Sequence, residues 1–342
     1  MIVLVSALLL IVLPLLWWVT CRGWWADAKS RRRVWLVVLG VLAMSAPWTP
    51  WVGGDGASFD LLKRGKLLIL LAILGVFGAR MAGVGWARER TRRLEIWAVL
   101  ALVTVPVYFN FFDFHGARTF VHLHDVGHYY LGAKYYPELG YGDLYTAMLR
   151  AEAETHDNRF QSIEARDLET YDRVHIRTLL QKSEPVKARF TPERWHEFKL
   201  DAERLRQRLG PHYSTFLLDH GFNPTPVWVL IGGPIANLVP AGSDTGLLFL
   251  TLLDPLVLVL AFWVIGRAFD AEIALLAVLH FCLLFGGGFG WVGGGFLRYG
   301  WLACVVAGAV CLHRRRHWPA GVLLAAATML RVFPAPWCCR WR

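Results

Sequence analysis

Cysteine is scarce in this chain and poorly placed for a disulfide framework. Only six of the 342 residues are cysteine, and none lies in the long polar segment 113–222. Small domains that depend on disulfides keep their cysteines where an oxidising compartment can pair them. Cys338 and Cys339 are adjacent, whereas the paired cysteines of a structural zinc site are separated by two or more residues. The sequence therefore predicts neither disulfides nor a cysteine-ligated zinc ion.

We predict no cleavable secretory signal at the start of the sequence. Residues 1–10 contain no basic residue, and no small-residue cleavage site precedes Cys21. A secretory signal needs both features. We therefore predict that the first apolar segment remains in the mature protein as a membrane helix.

Charge is low for a water-soluble protein. Only 18% of the residues are charged and 56% are hydrophobic, whereas soluble domains have roughly 45–50% apolar residues. The net charge is +10, but the basic residues cluster in short loops between apolar segments, where they set the orientation of membrane helices. These features exclude a soluble globular domain and argue against nucleic acid as a partner.

Long apolar segments dominate the chain instead. Windows of about 20 apolar residues recur, and each is long enough to cross a hydrocarbon core of about 30 Å. The predicted spans are 1–19, 34–52, 67–86, 95–112, 224–240, 246–266, 272–290, 296–312 and 318–335. The predicted fold class is all-α, a polytopic transmembrane helical bundle of about eight or nine spans. Its N-terminal helices lie in 1–112, a large helical extracytoplasmic loop domain lies in 113–222, and the C-terminal helices lie in 223–342.

Two early loops set the predicted orientation. Residues 22–33 and 80–93 each carry five Arg or Lys residues, and the positive-inside rule places both in the cytoplasm. Residues 113–222 then lie outside the membrane. The pattern suits a bacterial cytoplasmic membrane, in which case this domain is periplasmic.

A second basic cluster conflicts with a simple count of crossings. Four full crossings after the outer domain would place residues 313–317, which include three arginines, outside as well. We therefore expect that one segment does not cross, either the proline-rich 224–240 or the glycine-rich 286–295. Irregular backbone of this kind is tolerated in a membrane where it is buried in protein or lines a cavity.

The outer domain has the composition of a folded unit. Residues 113–222 contain 17 acidic and 15 basic residues and nine of the twelve histidines. Thr191-Pro192-Glu193 is a helix start with a cap and a proline in the first turn, and Gly210-Pro211 ends the helix. Its apolar stripe either packs on the core of the outer domain, which we favour, or lies on the membrane surface. The stripe consists of Trp195, Phe198, Leu205 and Leu209.

The densest polar and aromatic run, residues 119–145, follows the fourth predicted span. Asp125 lies close to the end of that span, near the interface where a lipid head group is presented. It is therefore a candidate general base for an acceptor hydroxyl. The alternative is that Asp125 caps a helix that begins near Val126.

Histidines and tyrosines in the same run are further candidates. The spacing of His122, His124 and His128 is compatible with a divalent metal ion, to which Asp125 would add an oxygen. Solvated or hydrogen-bonded loop histidines are the alternative. The tyrosines either stack on sugar rings or belong to an aromatic belt at the membrane interface. They are Tyr129, Tyr130, Tyr135 and Tyr136.

Three short motifs follow one another along the chain. The first comprises Asp125, Tyr129, Gly132-Ala133, Gly140 and Leu144-Tyr145. The second comprises Phe222-Asn223-Pro224-Thr225-Pro226, Gly233-Pro234 and Leu238-Val239-Pro240. The third runs from Ala326 to Pro334. In this order they resemble the motifs of the GT-C superfamily of membrane glycosyltransferases, most closely the polyprenol-phosphomannose-dependent mannosyltransferases of glycosyltransferase family 87, with Arg331 in place of that family's usual lysine. The resemblance covers about residues 95–336.

The resemblance implies an inverting transfer of mannose or another hexose from a polyprenyl-phosphate donor in the membrane. Asp125 would be the catalytic base, and Arg331 would neutralise the donor phosphate or snorkel at the interface. The acceptor would be a glycan, a lipid or a protein, and no cofactor is implied beyond a possible divalent metal. The expected substrate-binding residues are His124, His128, Tyr129, Tyr130, Lys134, Tyr145 and Arg331.

Two features depart from the family pattern. The stretch between Tyr145 and Phe222 is longer and more charged than the family's. The family also continues with several more membrane helices, whereas this sequence stops at Arg342. We therefore expect a C-terminally truncated or frameshifted product, and a truncated product could be inactive.

Two other functions fit the composition. A charge-balanced outer domain suits a non-catalytic membrane protein that binds a partner. Helices broken by proline and glycine suit a transporter, for which Asp254 is the candidate residue because acids within membrane spans are commonly functional.

Overall fold

The computed structural model describes residues 57–115, 119–157, 159–284 and 288–331. It is mostly helical, with 73% helix and 2% strand. The prediction of a helical protein is therefore confirmed. Several predicted features lie outside the described residues: the spans 1–19 and 34–52, the basic loop 22–33, the end of the chain after Arg331, and with it Cys338 and Cys339.

Sixteen helices and two strands are numbered here from the first described residue. Helices α1 to α8 are Ala57–Met81, Gly85–Arg88, Arg90–Tyr108, Leu123–Lys134, Tyr136–Leu139, Leu144–Thr155, Ile176–Gln181 and Ser183–Lys187. Helices α9 to α16 are Pro192–Leu209, Tyr213–Leu217, Pro226–Asn237, Asp244–Ala268, Ala271–Leu283, Phe289–Val292, Gly300–His313 and His317–Leu330. Strands β1 and β2 are Glu164–Arg166 and Arg173–His175, and short 3-10 turns occupy Asn110–Phe112 and Gly210–His212.

One helix in the described part of the chain, α12, is long and apolar enough to cross a membrane by length and composition. It has 25 residues, which at about 1.5 Å per residue exceeds a hydrocarbon core of about 30 Å. Four other apolar helices have between 10 and 17 residues. They are α11, α13, α15 and α16. The count of eight or nine spans stays a prediction.

The two segments expected to be irregular are both short in the structure. Helix α11 has 12 residues and contains Pro234, so it is about 18 Å long and too short to cross a hydrocarbon core. In the glycine-rich stretch, helix α14 has only four residues. Residues 293–299 then form no helix before α15 begins.

Contacts divide the chain into two compact units. Among the described residues, the first comprises those from 57 to 120, from 256 to 293 and from 306 to 320, and its core is formed by apolar residues of α1, α3 and α13. Glu272 on α13 accepts hydrogen bonds from Arg93 (2.7 and 3.0 Å) and from the indole of Trp97 (3.1 Å) on α3. These bonds satisfy buried charges where the two helices pack together.

The second unit comprises the described residues within 121–255, 294–305 and 321–331. In this unit, helix α9 has the start, the end and the buried apolar face that were predicted for the helix beginning at Pro192. The hydroxyl of Thr191 caps α9 by accepting the amide of Arg194 at 3.2 Å, and the helix ends before Gly210, whose φ of 51° suits glycine. The apolar stripe is buried in the core of this unit, because Trp195, Phe198, Leu205 and Leu209 are all less than 9% exposed. The stripe does not lie on a surface.

A small β-hairpin interrupts the helices of residues 113–222. Strands β1 and β2 pair antiparallel, with Ala165 opposite Val174. The prediction for this segment is a helical domain, and the hairpin is an addition to it. The division into consecutive segments 1–112, 113–222 and 223–342 stays a prediction.

Candidate active site

Helix α4 carries three pairs of polar residues, and each pair is spaced by four residues. Since 3.6 residues make one turn, members of a pair share a face; the second pair is rotated by about 100° from the first, and the third by about 140° from the second. His124 and His128 form one pair, Asp125 and Tyr129 the next. Tyr130 and Lys134 form the third. The three pairs have different surroundings in the structure.

The cap of α4 differs from the predicted alternative. The helix begins at Leu123, and the Nδ1 atom of His122 accepts the amide of Asp125 at 3.0 Å. Asp125 therefore does not cap a helix starting at Val126. It lies in the first turn, where the helix dipole favours a carboxylate. His122 is engaged in capping, and the ligand atoms that lie within 4.8 Å of one another belong to His124, His128 and Asp219.

Asp125 is 8% exposed and is paired with Arg298. The guanidinium donates Nε–H to Oδ2 at 2.8 Å and an Nη2–H to Oδ1. This bidentate geometry uses the planar fork of arginine, which lysine cannot reproduce. The candidate base is therefore a carboxylate held by a guanidinium.

Arg298 is positioned through its backbone. The carboxylate of Asp254 on α12 accepts the backbone N–H of Arg298 at 2.9 Å and that of Tyr299 at 3.1 Å. Asp254, predicted as the key residue of a transporter, thus fixes the loop before α15. These two hydrogen bonds explain why an acidic residue is buried in an apolar helix, and the explanation does not require a role in ion transport.

Glycines bring the same loop close to α4. Gly294 has a φ of 68°, which favours glycine, and its carbonyl accepts the amide of His122 at 2.8 Å. A Cβ added to Gly295 would lie 2.5 Å from Oδ2 of Asp125 and 2.7 Å from Cγ of Arg298. No side chain fits at this position beside the ion pair.

Tyr129 lies between two arginines. Its hydroxyl accepts an N–H of Arg331 at 3.1 Å and donates to Oδ1 of Asn223 at 3.2 Å. The guanidinium carbon of Arg298 lies 4.8 Å from the centre of the Tyr129 ring, within the range of a cation–π contact. Within the part of the chain that the structure describes, no carboxylate pairs with Arg331. The cluster around Tyr129 therefore holds two guanidinium groups and one carboxylate.

A small apolar cavity of about 50 Å³ adjoins Arg331. The indole of Trp228 donates to the carbonyl of Leu297 at 3.1 Å and so closes one side of it. The cavity is lined by Trp228, Ile231, Leu297, Gly300, Trp301, Leu330 and Arg331. A charged group and an apolar recess are thus adjacent.

The pair His124 and His128 faces the loop after α10. Nε2 of His124 lies 2.8 Å from Oδ2 of Asp219, and Nδ1 of His128 lies 3.9 Å from the same oxygen. Burial lowers the pKa of His128 to about 3, so this imidazole is neutral at neutral pH. The hydrogen bond from His124 holds the pKa of Asp219 well below its usual range, although partial burial opposes this shift.

Tyr145, on α6, holds His128 in place. Its hydroxyl donates to the carbonyl of Phe216 at 2.7 Å and lies 2.7 Å from Nε2 of His128. Burial raises the pKa of Tyr145 well above its usual value, so it stays protonated. Tyr145 thus positions a histidine and is not directed at the Asp125 cluster.

The pair Tyr130 and Lys134 belongs to a buried network around Asp201 of α9. Nζ of Lys134 donates to Oδ2 of Asp201, to the Tyr130 hydroxyl and to the Val239 carbonyl, each at 2.9 Å. Its three N–H donors are all used. Asp201 also accepts the Tyr130 hydroxyl at 3.0 Å and the Tyr135 hydroxyl at 2.7 Å. We assign Tyr130 and Lys134 to the scaffold, because this network leaves neither free to contact a substrate.

Three residues of these clusters were not singled out from the sequence. Arg298 is the only Asp, Glu, Lys or Arg between Glu272 and Arg314, and an ionisable residue in a long apolar stretch is a recognised signal. Asp201 lies on the apolar face of α9, three residues after Phe198, which is also a signal for a buried partner. Asp219 gives no such signal, because it lies in an irregular loop.

Comparison of the chain with protein-family models, curated proteins and solved structures found no match. The resemblance to membrane glycosyltransferases therefore rests on the three short motifs and stays a prediction. The geometry around Tyr129 contributes to a functional argument independently of that resemblance.

Proposed function

We propose that this protein is a polytopic membrane glycosyltransferase that transfers mannose or another hexose from a polyprenyl-phosphate donor to an extracytoplasmic acceptor. The observation that carries the proposal is the cluster around Tyr129. There a buried carboxylate, Asp125, and two guanidinium groups, of Arg298 and Arg331, lie next to an apolar cavity. A lipid-linked phosphosugar needs these chemical features in one place.

The phosphate would bind between the two arginines. Guanidinium groups form paired hydrogen bonds with phosphate oxygens, and the partly apolar surroundings strengthen the attraction. The first isoprene unit would lie against the mouth of the recess beside Trp228, which at about 50 Å³ is too small to enclose it. The rest of the chain would run along α11. Leu230 of that helix and Leu238, the residue that follows it, are 76% and 74% exposed. Exposed apolar side chains of this kind suit contact with lipid.

Asp125 would act as the general base. In the structure its carboxylate is held by Arg298 in a bidentate contact. A phosphate that takes over the guanidinium would leave the carboxylate available for the acceptor hydroxyl. The carboxylate would accept the hydroxyl proton while the acceptor oxygen bonds to the anomeric carbon. The bond from that carbon to the phosphate oxygen would break, and its electron pair would leave with the phosphate, whose charge the arginines neutralise.

The membrane arrangement forms part of the same proposal. Helix α12 is long enough to span, and the shorter apolar helices would complete a bundle with the broken segments facing its interior. Residues 113–222 would then form an extracytoplasmic domain, periplasmic in a bacterial cytoplasmic membrane. This orientation rests on the positive-inside rule.

Sugar transfer by the purified chain in detergent or liposomes tests the proposal. Radiolabelled polyprenyl-phosphate hexoses are the donors, and a mixture of membrane glycolipids and lipoglycans supplies acceptors. Asp125→Asn removes the base without changing its size and is expected to lower transfer by a factor of about 10² or more. Asp244→Asn is the matched control, because Asp244 also pairs with an arginine, Arg204, but away from the cluster. It is expected to retain transfer.

Two outcomes would count against the proposal. Equal activity of the Asp125→Asn and Asp244→Asn proteins would remove Asp125 from the mechanism. No transfer by the wild-type chain with any donor, together with no donor binding measured by filter retention, would contradict the enzyme function itself. Donor binding without transfer would support the phosphate site at the two arginines and contradict the catalytic role of Asp125.

A further inference from the structure

We propose that His124, His128 and Asp219 bind a divalent transition-metal ion, with Zn²⁺ as the ion that best suits the ligands. This site is separate from the cluster of Asp125, Tyr129 and Arg298. It does not depend on the proposed sugar transfer. Two neutral imidazoles and one carboxylate, with one position open to water, form a ligand set that zinc commonly adopts.

The three ligand atoms already lie close together. Nε2 of His124, Nδ1 of His128 and Oδ2 of Asp219 are all within 4.8 Å of one another. Bonds of about 2.0–2.1 Å to a tetrahedral zinc ion place its ligand atoms roughly 3.3 Å apart. The separations of 2.8 Å and 3.9 Å from the Asp219 oxygen bracket this value. Small side-chain rotations are therefore enough to form the site.

The hydrogen bonds of Tyr145 leave Nδ1 of His128 as the available ligand. The Tyr145 hydroxyl donates its proton to the Phe216 carbonyl, so its oxygen is able to accept the N–H at Nε2 of His128, 2.7 Å away. In that neutral tautomer Nδ1 carries a lone pair, and Oδ2 of Asp219 lies 3.9 Å from it. In the other tautomer Nδ1–H donates to the backbone carbonyl of His124. A cation would therefore bind the tautomer with its proton at Nε2.

The histidines are held ready for binding. The spacing of four on α4 places both imidazoles on one face, and the ring of Phe216 stacks on His128 at 4.0 Å with an interplanar angle of 5°. The Tyr145 contact corresponds to the outer-shell hydrogen bond that commonly fixes the tautomer of a metal-binding histidine. Few degrees of freedom would be lost when an ion binds.

The site is accessible from one side. His128 is buried, but the side chains of His124 and Asp219 are 31% and 42% exposed. An ion can enter from solution and keep a water as its fourth ligand. The bound ion would have a structural effect, because it would connect α4 to the loop after α10. Asp125 and Tyr129 lie on a different face of α4 and would not contact the ion. A simple hydrogen bond between His124 and Asp219 is the competing explanation.

Metal content distinguishes the two explanations. The purified full chain is stripped with a chelator, dialysed against Zn²⁺ and assayed by mass spectrometry of metals, and its affinity is measured against a chromophoric chelator. We expect one ion per wild-type chain. His124→Gln and Asp219→Asn should each weaken binding at least tenfold. His220→Gln is the control: His220 neighbours Asp219, with Nδ1 only 3.4 Å from its other oxygen, but it is outside the ligand set and should bind as the wild type does.

Thermal unfolding gives a second readout that does not involve activity. Zn²⁺ should raise the melting temperature of the wild type and of His220→Gln, and not that of His124→Gln or Asp219→Asn. Co²⁺ bound to the wild type should show the visible absorption of a four-coordinate site and lose it when Zn²⁺ is added. The absence of stoichiometric Zn²⁺ in the wild type, or full binding by both ligand variants, would overturn the proposal. The wild-type measurement decides the matter even if a variant does not fold.

Discussion

The side chain of Arg298 and the carboxylate of Asp125 form a bidentate ion pair, although they are 173 positions apart in the chain. Truncating one partner of such a pair leaves the other charge buried and uncompensated. The carboxylate of Asp125 is therefore occupied by Arg298 until another anion binds the guanidinium in its place. In the proposed enzyme, donor binding and base release would therefore be the same event.

Substitution of Arg298 tests this coupling. Arg298→Lys keeps the charge but loses the planar fork that holds Asp125, and we expect transfer to fall by a factor of about 10². Arg298→Ala should lower it further and also weaken donor binding. Arg204→Lys, in the pair with Asp244 outside the cluster, is the control and should keep its activity. If Arg298→Lys transferred sugar at the wild-type rate, the bidentate pair would have no role in catalysis.

The close approach at Gly295 can be tested independently. In Gly295→Ala the added methyl group would lie 2.5 Å from the Asp125 carboxylate, so the carboxylate or the glycine-rich loop must move. Overpacking of this kind costs about 1–3 kcal/mol. We expect a lower melting temperature and a large loss of transfer. The control is Gly290→Ala in the same glycine-rich stretch, where the nearest atom, the Phe114 carbonyl oxygen, is 3.8 Å away. Equal effects of the two substitutions would contradict the steric argument.

Local signals in the sequence were sufficient to predict α9. Its cap, its proline in the first turn, its apolar stripe and its terminal glycine all depend on residues within one helix, and the structure has each of them. The choice between core and membrane surface for the stripe was also correct. Such features follow from helix chemistry and periodicity, which a sequence displays directly.

The partners of α4 could not be predicted in the same way. Asp125 was singled out, but Arg298 reaches it only because a glycine-rich loop packs against α4. The interpretation of Asp125 as the N-cap of α4 was wrong, because His122 caps this helix. No local feature of the sequence shows that the His122 imidazole accepts the third backbone amide of the helix. Residue spacing identified which side chains share a face, but the group that each face meets depends on tertiary packing.

The buried pair of Lys134 and Asp201 should stabilise the second unit. Each side chain is less than 5% exposed, so removal of either partner leaves an uncompensated charge. We expect Lys134→Met and Asp201→Leu each to lower the free energy of unfolding by about 3–5 kcal/mol. The double variant should lose less than the sum of the two. Arg92→Met, in a surface pair with Glu95, is the control and should change stability by about 0–1 kcal/mol. Strict additivity in denaturant unfolding would show that the two side chains are not coupled.

Glu154 on α6 makes a pH-dependent contribution to stability. Burial alone would raise its pKa, but hydrogen bonds from Lys187, Trp195 and Arg150 outweigh burial and lower the pKa to about 2, from an ordinary value of 4.5. The folded state therefore holds the proton less tightly than the unfolded state. The resulting stabilisation is fully present above about pH 4.5, and it is lost as the pH falls towards 2.

Glu154→Gln removes this ionisation and tests its sign. At neutral pH we expect the variant to be less stable than the wild type by roughly 1–3 kcal/mol. The difference should shrink as the pH falls from about 4.5 to 2, because the wild-type carboxylate then becomes protonated and loses its charged hydrogen bonds. Denaturant unfolding of both proteins between about pH 7 and pH 2 measures this difference in the free energy of unfolding. Glu184→Gln is the control, since the Glu184 side chain is 65% exposed and also contacts Arg150. A difference for Glu154→Gln that stayed constant with pH would mean that its contacts stabilise the fold by shape and not by charge.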